Sequence, residues 1–114
     1  MNIQLQPMFQ PKILNIDTLT GDWTDNDIIM LHACFKLLTD CVENEQLLTG
    51  HIDWTQTTEM IIAKNEIEEL YNWWKKRLIT EQGVKNDPIY NKDQYEEDNK
   101  MLVRLIAVRQ YLWT

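Results

Sequence analysis

The C-terminal stretch of the chain, residues 93–114, constrains the fold most strongly because its apolar side chains do not keep to one side of a helix. The apolar positions from residue 101 onward are Met101, Leu102, Val103, Leu105, Ile106, Ala107, Val108, Tyr111, Leu112 and Trp113. A helix that is apolar most of the way round is normally buried by several neighbours. The pattern therefore predicts a central C-terminal helix against which the other elements pack.

The composition favours a helical domain. A chain of 114 residues predicts one domain with a single core. Hydrophobic residues make up 44% of it, and with only three glycines and three prolines long intervals contain no helix breaker. We expect an all-α fold that needs neither a metal nor a disulfide.

The first helix is predicted over residues 24–48. Thr24 supplies a hydroxyl cap ahead of carboxylates in the first turn, and Gly50 marks the end. Apolar residues recur every three or four positions in between, at Ile28, Leu31, Cys34, Phe35, Leu38, Cys41 and Val42. The polar residues Asp25, His32, Lys36, Asp40 and Glu43 are expected mainly on the opposite side.

Two more helices follow, over residues 58–82 and 92–113. Gly83 is the expected stop of the second, and Asn91 or Asp93 is the expected cap of the third. Short connections between consecutive helices favour antiparallel neighbours. The sequence therefore predicts a three-helix antiparallel bundle in a single domain that spans residues 1–114.

Residues 1–22 are predicted to form an extended N-terminal arm. They contain Pro7 and Pro11 and lack a helical apolar period, although residues 12–19 alternate as a short strand would. No second strong strand signal follows. We therefore expect the arm to lie over the helices or to pair with the arm of another subunit.

The formal charge of −7 disfavours a general nucleic-acid binder, which needs surplus Lys and Arg to displace counterions. An acidic surface keeps a protein soluble or presents a negative face to a basic partner. No apolar run is long enough to cross a membrane, and no secretory leader is visible, so we expect a soluble intracellular protein. Cys34 and Cys41 would lie about 10 Å apart on one helix, too far to bridge, which leaves reduced thiols or an intersubunit disulfide.

The Trp73-Trp74 pair is the first candidate binding feature. On the helical wheel Trp74 falls inside the apolar stripe, whereas Trp73 lies on a flank that it shares with Arg77. A flanking Trp one turn from an Arg could stack on a planar ligand while the guanidinium binds phosphate, or could anchor a protein interface. The alternative is that the arm or helix one covers Trp73.

Charged residues on the apolar arc of helix three are the second such feature. Asp98 and Arg109 both project there, about 16 Å apart, so each must meet a partner elsewhere. An internal ion pair, a second subunit and, for Arg109, a bound anion are all open. Arg104 projects beside Tyr111. The candidate ligand-binding residues are therefore Trp73, Arg77, Arg104, Arg109 and Tyr111.

A helix three that is apolar nearly all round predicts self-association. Two partner helices within one chain would leave part of it in contact with water. A dimer with helix three at its axis would cover that part. We therefore expect a homo-oligomer.

Catalytic signals are weak. His32 and His51 are the only histidines, and neither stands at ligand spacing with a cysteine or carboxylate. The sequence has no P-loop, dinucleotide fingerprint or nucleophile elbow, and the carboxylates at Glu66, Glu68 and Glu69 are typical of a solvated face. We expect no enzymatic activity, no metal site and no cofactor.

Two stretches resemble small helical proteins encoded by tailed bacteriophages. One is Trp-Thr-Asp-Asn-Asp from Trp23 together with residues 30–45, and the other is residues 95–114. A Leu-His-Ala run at Leu31, a Trp-Trp-Lys segment at Trp73 and the Leu-Trp-Thr ending at Leu112 carry the likeness. It leaves out the N-terminal arm.

The resemblance implies an accessory phage protein that acts in the host cytoplasm by binding, and many such proteins counter host defence. The leading expectation is an oligomer that sequesters a nucleotide-derived immune signal between subunits, in pockets built from Trp73, Arg77, Arg104 and Arg109. An alternative is an acidic inhibitor that blocks a host defence protein, and a third is an assembly or replication accessory protein. The arginines on apolar arcs favour the first, and the net charge favours the second.

Overall fold

Three helices dominate the computed structural model, which describes residues 1–4, 13–20, 24–83 and 91–112. They are α1 (Asn26–Glu43), α2 (Thr58–Gly83) and α3 (Lys92–Ala107), preceded by strands β1 (Asn2–Gln4) and β2 (Ile13–Asn15) and followed by a 3-10 turn at Arg109–Tyr111. The predicted all-α three-helix bundle with an N-terminal arm is confirmed. Within the described ranges, no helix combines the length and the apolar character needed to span a membrane.

Side-chain contacts give the direction of α1 against α2. Glu43, at the end of α1, lies 2.5 Å from Lys75 in the middle of α2. His32, near the start of α1, lies 3.3 Å from Glu81 at the end of α2. Later residues of α1 therefore contact earlier residues of α2, so the two helices are antiparallel.

The contacts between α2 and α3 run in opposite order as well. Arg77 bonds Asp98, and Arg104 bonds Glu66. Since α2 is antiparallel to both other helices, α1 and α3 are parallel to each other, and their N-terminal ends meet at one end of the bundle.

Within one chain α3 is not buried all round, so the prediction of a C-terminal helix covered on every side by the other elements is wrong. On α3 the buried side chains are confined to one stripe, while Val103 is 67% exposed and Ile106 is 53% exposed. Each helix packs against the other two, and the contacts of α2 with α1 and α3 are more extensive than those between α1 and α3. The sequence shows which faces of a helix are apolar, but the number of neighbouring elements determines which of those faces are covered.

The core is a continuous cluster drawn from all three helices and the α1–α2 connection. The rings of Phe35 and Trp74 stack at its centre, with centroids 4.8 Å apart and an interplanar angle of 17°. Trp54 of the connection is buried too, and its indole nitrogen donates a hydrogen bond to the Leu47 carbonyl oxygen. The buried cluster comprises Leu31, Phe35, Leu38, Cys41, Leu47, Trp54, Ala63, Ile67, Leu70, Trp74, Met101, Leu105 and Val108.

The end of α1 differs from the predicted one. The helix stops at Glu43 rather than near residue 48, and Gln46 adopts a left-handed φ of 55°. The Leu47 amide then donates back to the Cys41 carbonyl at 2.9 Å. The early turn delivers the fully buried Leu47 to the core, which a continued helix would not do.

The helix caps are partly as predicted. Thr24 does not cap α1: the N-cap residue is Asp25, whose side chain makes no capping hydrogen bond. Asn91 does cap α3, where its side-chain oxygen accepts from the Gln94 amide at 3.1 Å. The third helix ends at Ala107 instead of residue 113, and residues 113 and 114 lie outside the described part of the chain.

The N-terminal arm folds back on itself. β1 and β2 pair antiparallel, with Asn2 opposite Asn15 and Gln4 opposite Ile13. Leu14 and Ile16 are buried, and β2 packs against α1. The arm does lie over a helix, but the strand partner belongs to the same chain; β1 is too short and too polar to give a strand signal in the sequence.

Candidate binding cleft

A cavity opens between α1 and α3 at the end of the bundle where their N-termini meet. Its volume is ≈ 610 Å³, and the C-terminal end of α2 contributes to its wall. It exists because α1 and α3 are parallel and bring their polar first turns together. The described residues that line it are Asp25, Asp27, Ile28, Met30, Leu31, His32, Arg77, Glu81, Asn91, Gln94, Tyr95, Asp98, Asn99 and Leu102.

A buried ion pair joins α2 to α3 in this wall. The guanidinium of Arg77 donates to Asp98 from Nε at 2.9 Å and from Nη2 at 3.0 Å. Gln94 donates a further hydrogen bond to Asp98 at 2.9 Å. Burial disfavours the charged guanidinium of Arg77 and lowers its pKa. The hydrogen bonds and charge of Asp98 outweigh burial, so the pKa is raised above its ordinary value. Arg77 therefore stays protonated, and the carboxylate of Asp98 balances its charge.

His32 forms the second polar element of the wall. It is only 1% exposed, and the edge of its ring faces Trp74 with centroids 5.0 Å apart. Its Nδ1 lies 2.7 Å from the Thr18 hydroxyl of the arm. The sequence placed His32 on the polar side of helix one, which is wrong because the segment after β2 covers that flank.

The other ring nitrogen of His32 faces Glu81. Nε2 lies 3.3 Å from a Glu81 carboxylate oxygen, close enough for an ion pair with a protonated imidazole, yet without the geometry of a hydrogen bond. Contact with His32 lowers the pKa of the Glu81 carboxyl below its ordinary value. The charge of Arg77 lowers this pKa further, and partial burial raises it by less than the two together lower it. Glu81 is therefore an anion at neutral pH.

Thr18, His32 and Glu81 form a hydroxyl–imidazole–carboxylate series of the kind that activates nucleophiles in some hydrolases. The Thr18 hydroxyl, however, is not among the described residues that line the cleft. Thr18 of the arm and Trp74 of α2 cover two sides of the imidazole, and the side that carries Nε2 faces Glu81 in the cleft wall. This is the environment of a structural histidine that ties the arm to the bundle.

Trp73 is half-buried. Its ring packs beside Phe35 of α1, with centroids 5.3 Å apart, and its indole nitrogen donates to Glu97 of α3 at 2.7 Å. Helix one therefore covers part of Trp73, in line with the alternative reading of the sequence.

Arg104 lies on the seam between α2 and α3. It donates to Glu66 and stands 2.9 Å from Glu69. The hydrogen bonds that Arg104 donates to these two carboxylates, that to Glu66 first, raise the pKa of Arg104 well above its ordinary value. Two of the three carboxylates predicted as a solvated face, Glu66 and Glu69, thus hold an arginine of the neighbouring helix.

The remaining candidates, Arg109 and Tyr111, lie in the 3-10 turn after α3. Arg109 is exposed and Tyr111 packs in part against the core. Of the five sequence-predicted residues, Arg77 alone is among the described residues that line the cleft between α1 and α3. In a single chain the five do not form one pocket within the described part.

Most of the residues that line the cleft carry no signal of it in the sequence. Asp25 and Asp27 have the ordinary placing of carboxylates at a helix start, and Glu81 that of a solvated residue near a helix end. Their meeting depends on the parallel arrangement of α1 and α3, which no local pattern encodes.

The described residues also include no group of three or more His, Cys, Asp or Glu side chains arranged to hold a metal ion. Comparison of the chain with protein-family models, with curated proteins and with solved structures finds no match.

Proposed function

We propose that this protein is a non-catalytic binding protein that engages a basic surface of a partner protein. The observation that carries the proposal is the charge of the cleft wall. Among the described residues of the wall, Asp25, Asp27, Glu81 and Asp98 are acidic and Arg77 is the one arginine or lysine, and Asp98 already neutralises it. Together with a net charge of −7, this favours a cationic partner over an anionic one.

The resemblance to small proteins of tailed bacteriophages supplies the biological setting. We propose that the partner is a host protein, that the encounter takes place in the host cytoplasm, and that it blocks a defence function. Of the mechanisms that the resemblance implies, the acidic inhibitor is the one that the geometry supports best.

Sequestration of a nucleotide-derived signal is the second candidate. It needs free cations, and both Arg77 and Arg104 are held by carboxylates of their own chain. Arg109 favours it, since this exposed arginine has no ion pair among the described residues. A second subunit would have to complete any pocket around it.

Self-association has its own support. Val103 and Ile106 expose more than half of their surface on the outer side of α3. We propose that a second copy of the chain covers this side. Light scattering on the purified protein should give a multiple of the 13.7 kDa chain mass, reduced by Val103→Glu and unchanged by Ile79→Glu, which alters an equally exposed side chain of α2.

Two measurements test the proposed function. The first is capture of host proteins on the immobilised protein between about 0.05 and 0.5 M NaCl, where screening weakens contacts between exposed charges. We expect a basic host protein whose retention falls as the salt rises.

The second is thermal melting with cyclic dinucleotides and cyclic ADP-ribose isomers, because a ligand that binds the native state raises the midpoint. We expect no shift. A rise that Arg109→Ala abolishes would overturn the protein-inhibitor proposal in favour of signal sequestration.

A further inference from the structure

We infer that the cleft between α1 and α3 receives an arginine or lysine side chain of the partner polypeptide, with the cationic head beside Glu81 and His32. The inference rests on the proposed function and names its site. It stands on three observations: the unbalanced charge of the wall, an unsatisfied buried nitrogen and an apolar rim.

The charge of the wall is unbalanced once internal pairs are taken into account. Asp98 is satisfied by the two-point contact with Arg77 and by Gln94. Asp25 makes no capping hydrogen bond, and Glu81 has only a 3.4 Å contact with Arg77 besides its approach to His32. A cationic head in the cleft therefore meets carboxylates with unused acceptor capacity.

The buried imidazole of His32 points to a hydrogen-bonding ligand. Nε2 is buried and makes no hydrogen bond, although a buried polar atom without a partner is costly. When Nδ1 donates its proton to Thr18, Nε2 is a free acceptor 3.3 Å from the Glu81 oxygen. A guanidinium or ammonium group has enough N–H donors to bond Nε2 and this oxygen together.

The rim of the cleft suits the stem of a long basic side chain. Ile28 is 39% exposed, Met30 58% and Tyr95 37%, so apolar surface stands open around the polar wall. Arginine and lysine pack their methylene stems on such surface while the head remains among polar groups. The cleft volume of ≈ 610 Å³ lies within the range of about 300–1,000 Å³ typical of ligand pockets. A cleft of this size has room for the residues that flank the basic one.

The test uses the full chain and a defined probe. The peptide acetyl-Ala-Leu-Arg-Leu-Ala-amide is titrated against the protein while the imidazole signals of His32 and His51 are followed by NMR; His51→Gln assigns them. We expect a saturable shift of the His32 signal. The same peptide with citrulline, which has nearly the shape of arginine but no charge, should bind at least about tenfold more weakly, equivalent to 1.4 kcal/mol.

Variants locate the site. Glu81→Gln and, independently, Asp25→Asn should weaken binding of the arginine peptide. Asp25→Asn removes an exposed carboxylate without a capping hydrogen bond, so its effect does not depend on altered folding. Glu59→Gln, which alters an exposed carboxylate in the first turn of α2, is the matched control and should change nothing. Equal binding of the two peptides, or binding unaffected by both cleft variants, would overturn the inference.

Failure of the site and failure of the proposed function give different results. A host protein captured equally well by the native chain and by both cleft variants would overturn the site and leave the proposed function standing. Binding of the arginine peptide with no salt-sensitive protein partner would support the site and overturn the proposed function.

Discussion

The guanidinium of Arg77 on α2 faces the carboxylate of Asp98 on α3 at two points, with Nε 2.9 Å from Oδ1 and Nη2 3.0 Å from Oδ2. Their side chains are only 14% and 9% exposed. The pair fixes the register of the two helices, and it leaves Arg77 unavailable for an anion in the cleft. A charge on the apolar arc of α3 thus has an internal partner.

Removing the Asp98 carboxylate should destabilise the fold by about 3 kcal/mol, because it leaves Arg77 charged and nearly buried with only the 3.4 Å contact to Glu81. Urea unfolding of Asp98→Asn measures this loss. The double variant Arg77→Met/Asp98→Leu should recover most of it, since an apolar pair of similar volume has no charge to solvate. Lys92→Met is the control: Lys92 meets Glu96 at 3.9 Å with both side chains largely exposed, so the change should stay below about 0.5 kcal/mol. A loss under 1 kcal/mol for Asp98→Asn would refute the structural role of the pair.

Phe35→Ala should cost about 3–5 kcal/mol, because it opens a cavity where the Phe35 and Trp74 rings stack. Both side chains are at most 2% exposed. Ile79→Ala removes an apolar side chain that is 71% exposed and should fall within about 0.5 kcal/mol of the native protein. Equal urea midpoints for the two variants would mean that Phe35 is not part of the core.

Gly50→Ala should destabilise the α1–α2 connection by about 1–2 kcal/mol, within the range of overpacked sites. The Gly50 amide donates to the Gln46 carbonyl at 2.7 Å, and an added Cβ would stand 2.8 Å from that oxygen. Because the obstacle is backbone, relief requires the turn to open. Thr49→Ala, at the exposed neighbouring position, should be nearly neutral in thermal unfolding. A Gly50→Ala protein as stable as the native chain would show that the turn yields without strain.

Acidification should weaken the fold below about pH 4.5, where two carboxylates have folded-state pKa values lower than the ordinary 4.5. Lys75 and Tyr71 lower the pKa of Glu43, and His32 lowers that of Glu81. A lowered folded pKa gives stability that is complete above the unfolded pKa and disappears as the pH falls through the folded one. Glu43→Gln/Glu81→Gln should flatten the curve of unfolding free energy against pH in the acid range, and an unchanged slope would exclude both groups as its cause.

The sequence predicts the helices well because their signals are local. Apolar residues at helical spacing locate all three, and Asn91 caps α3 as predicted. Helix ends are harder: α1 stops early because burial of Leu47 outweighs another turn of helix. The strand β1 has no local signal and forms through its pairing with β2.

The cleft is harder still to predict, because it depends on which helices become neighbours. The sequence singles out Asp98 as a residue that needs a partner, yet nothing in it says that the partner is Arg77. His32 has the polar character of a surface residue and is buried because the chain after β2 and Trp74 of α2 both cover it. Only the tertiary fold brings together partners that lie 14 to 38 positions apart in the chain, such as Thr18 with His32 or Glu66 with Arg104.

Tyr71 should titrate with a pKa of about 12 instead of the ordinary 10, because its hydroxyl donates a hydrogen bond to the Glu43 carboxylate at 2.5 Å. A pKa raised by folding gives stability that is complete below pH 10 and is lost as the pH rises towards 12. Ultraviolet difference absorption between the native protein and Tyr71→Phe isolates this phenol from the other tyrosines. Glu43→Gln should return the pKa to near 10, whereas Glu59→Gln, far from the ring in sequence and exposed, should leave it at about 12. If Tyr71 titrated near 10 in the native protein, the hydrogen bond that joins the middle of α2 to the end of α1 would not persist in solution.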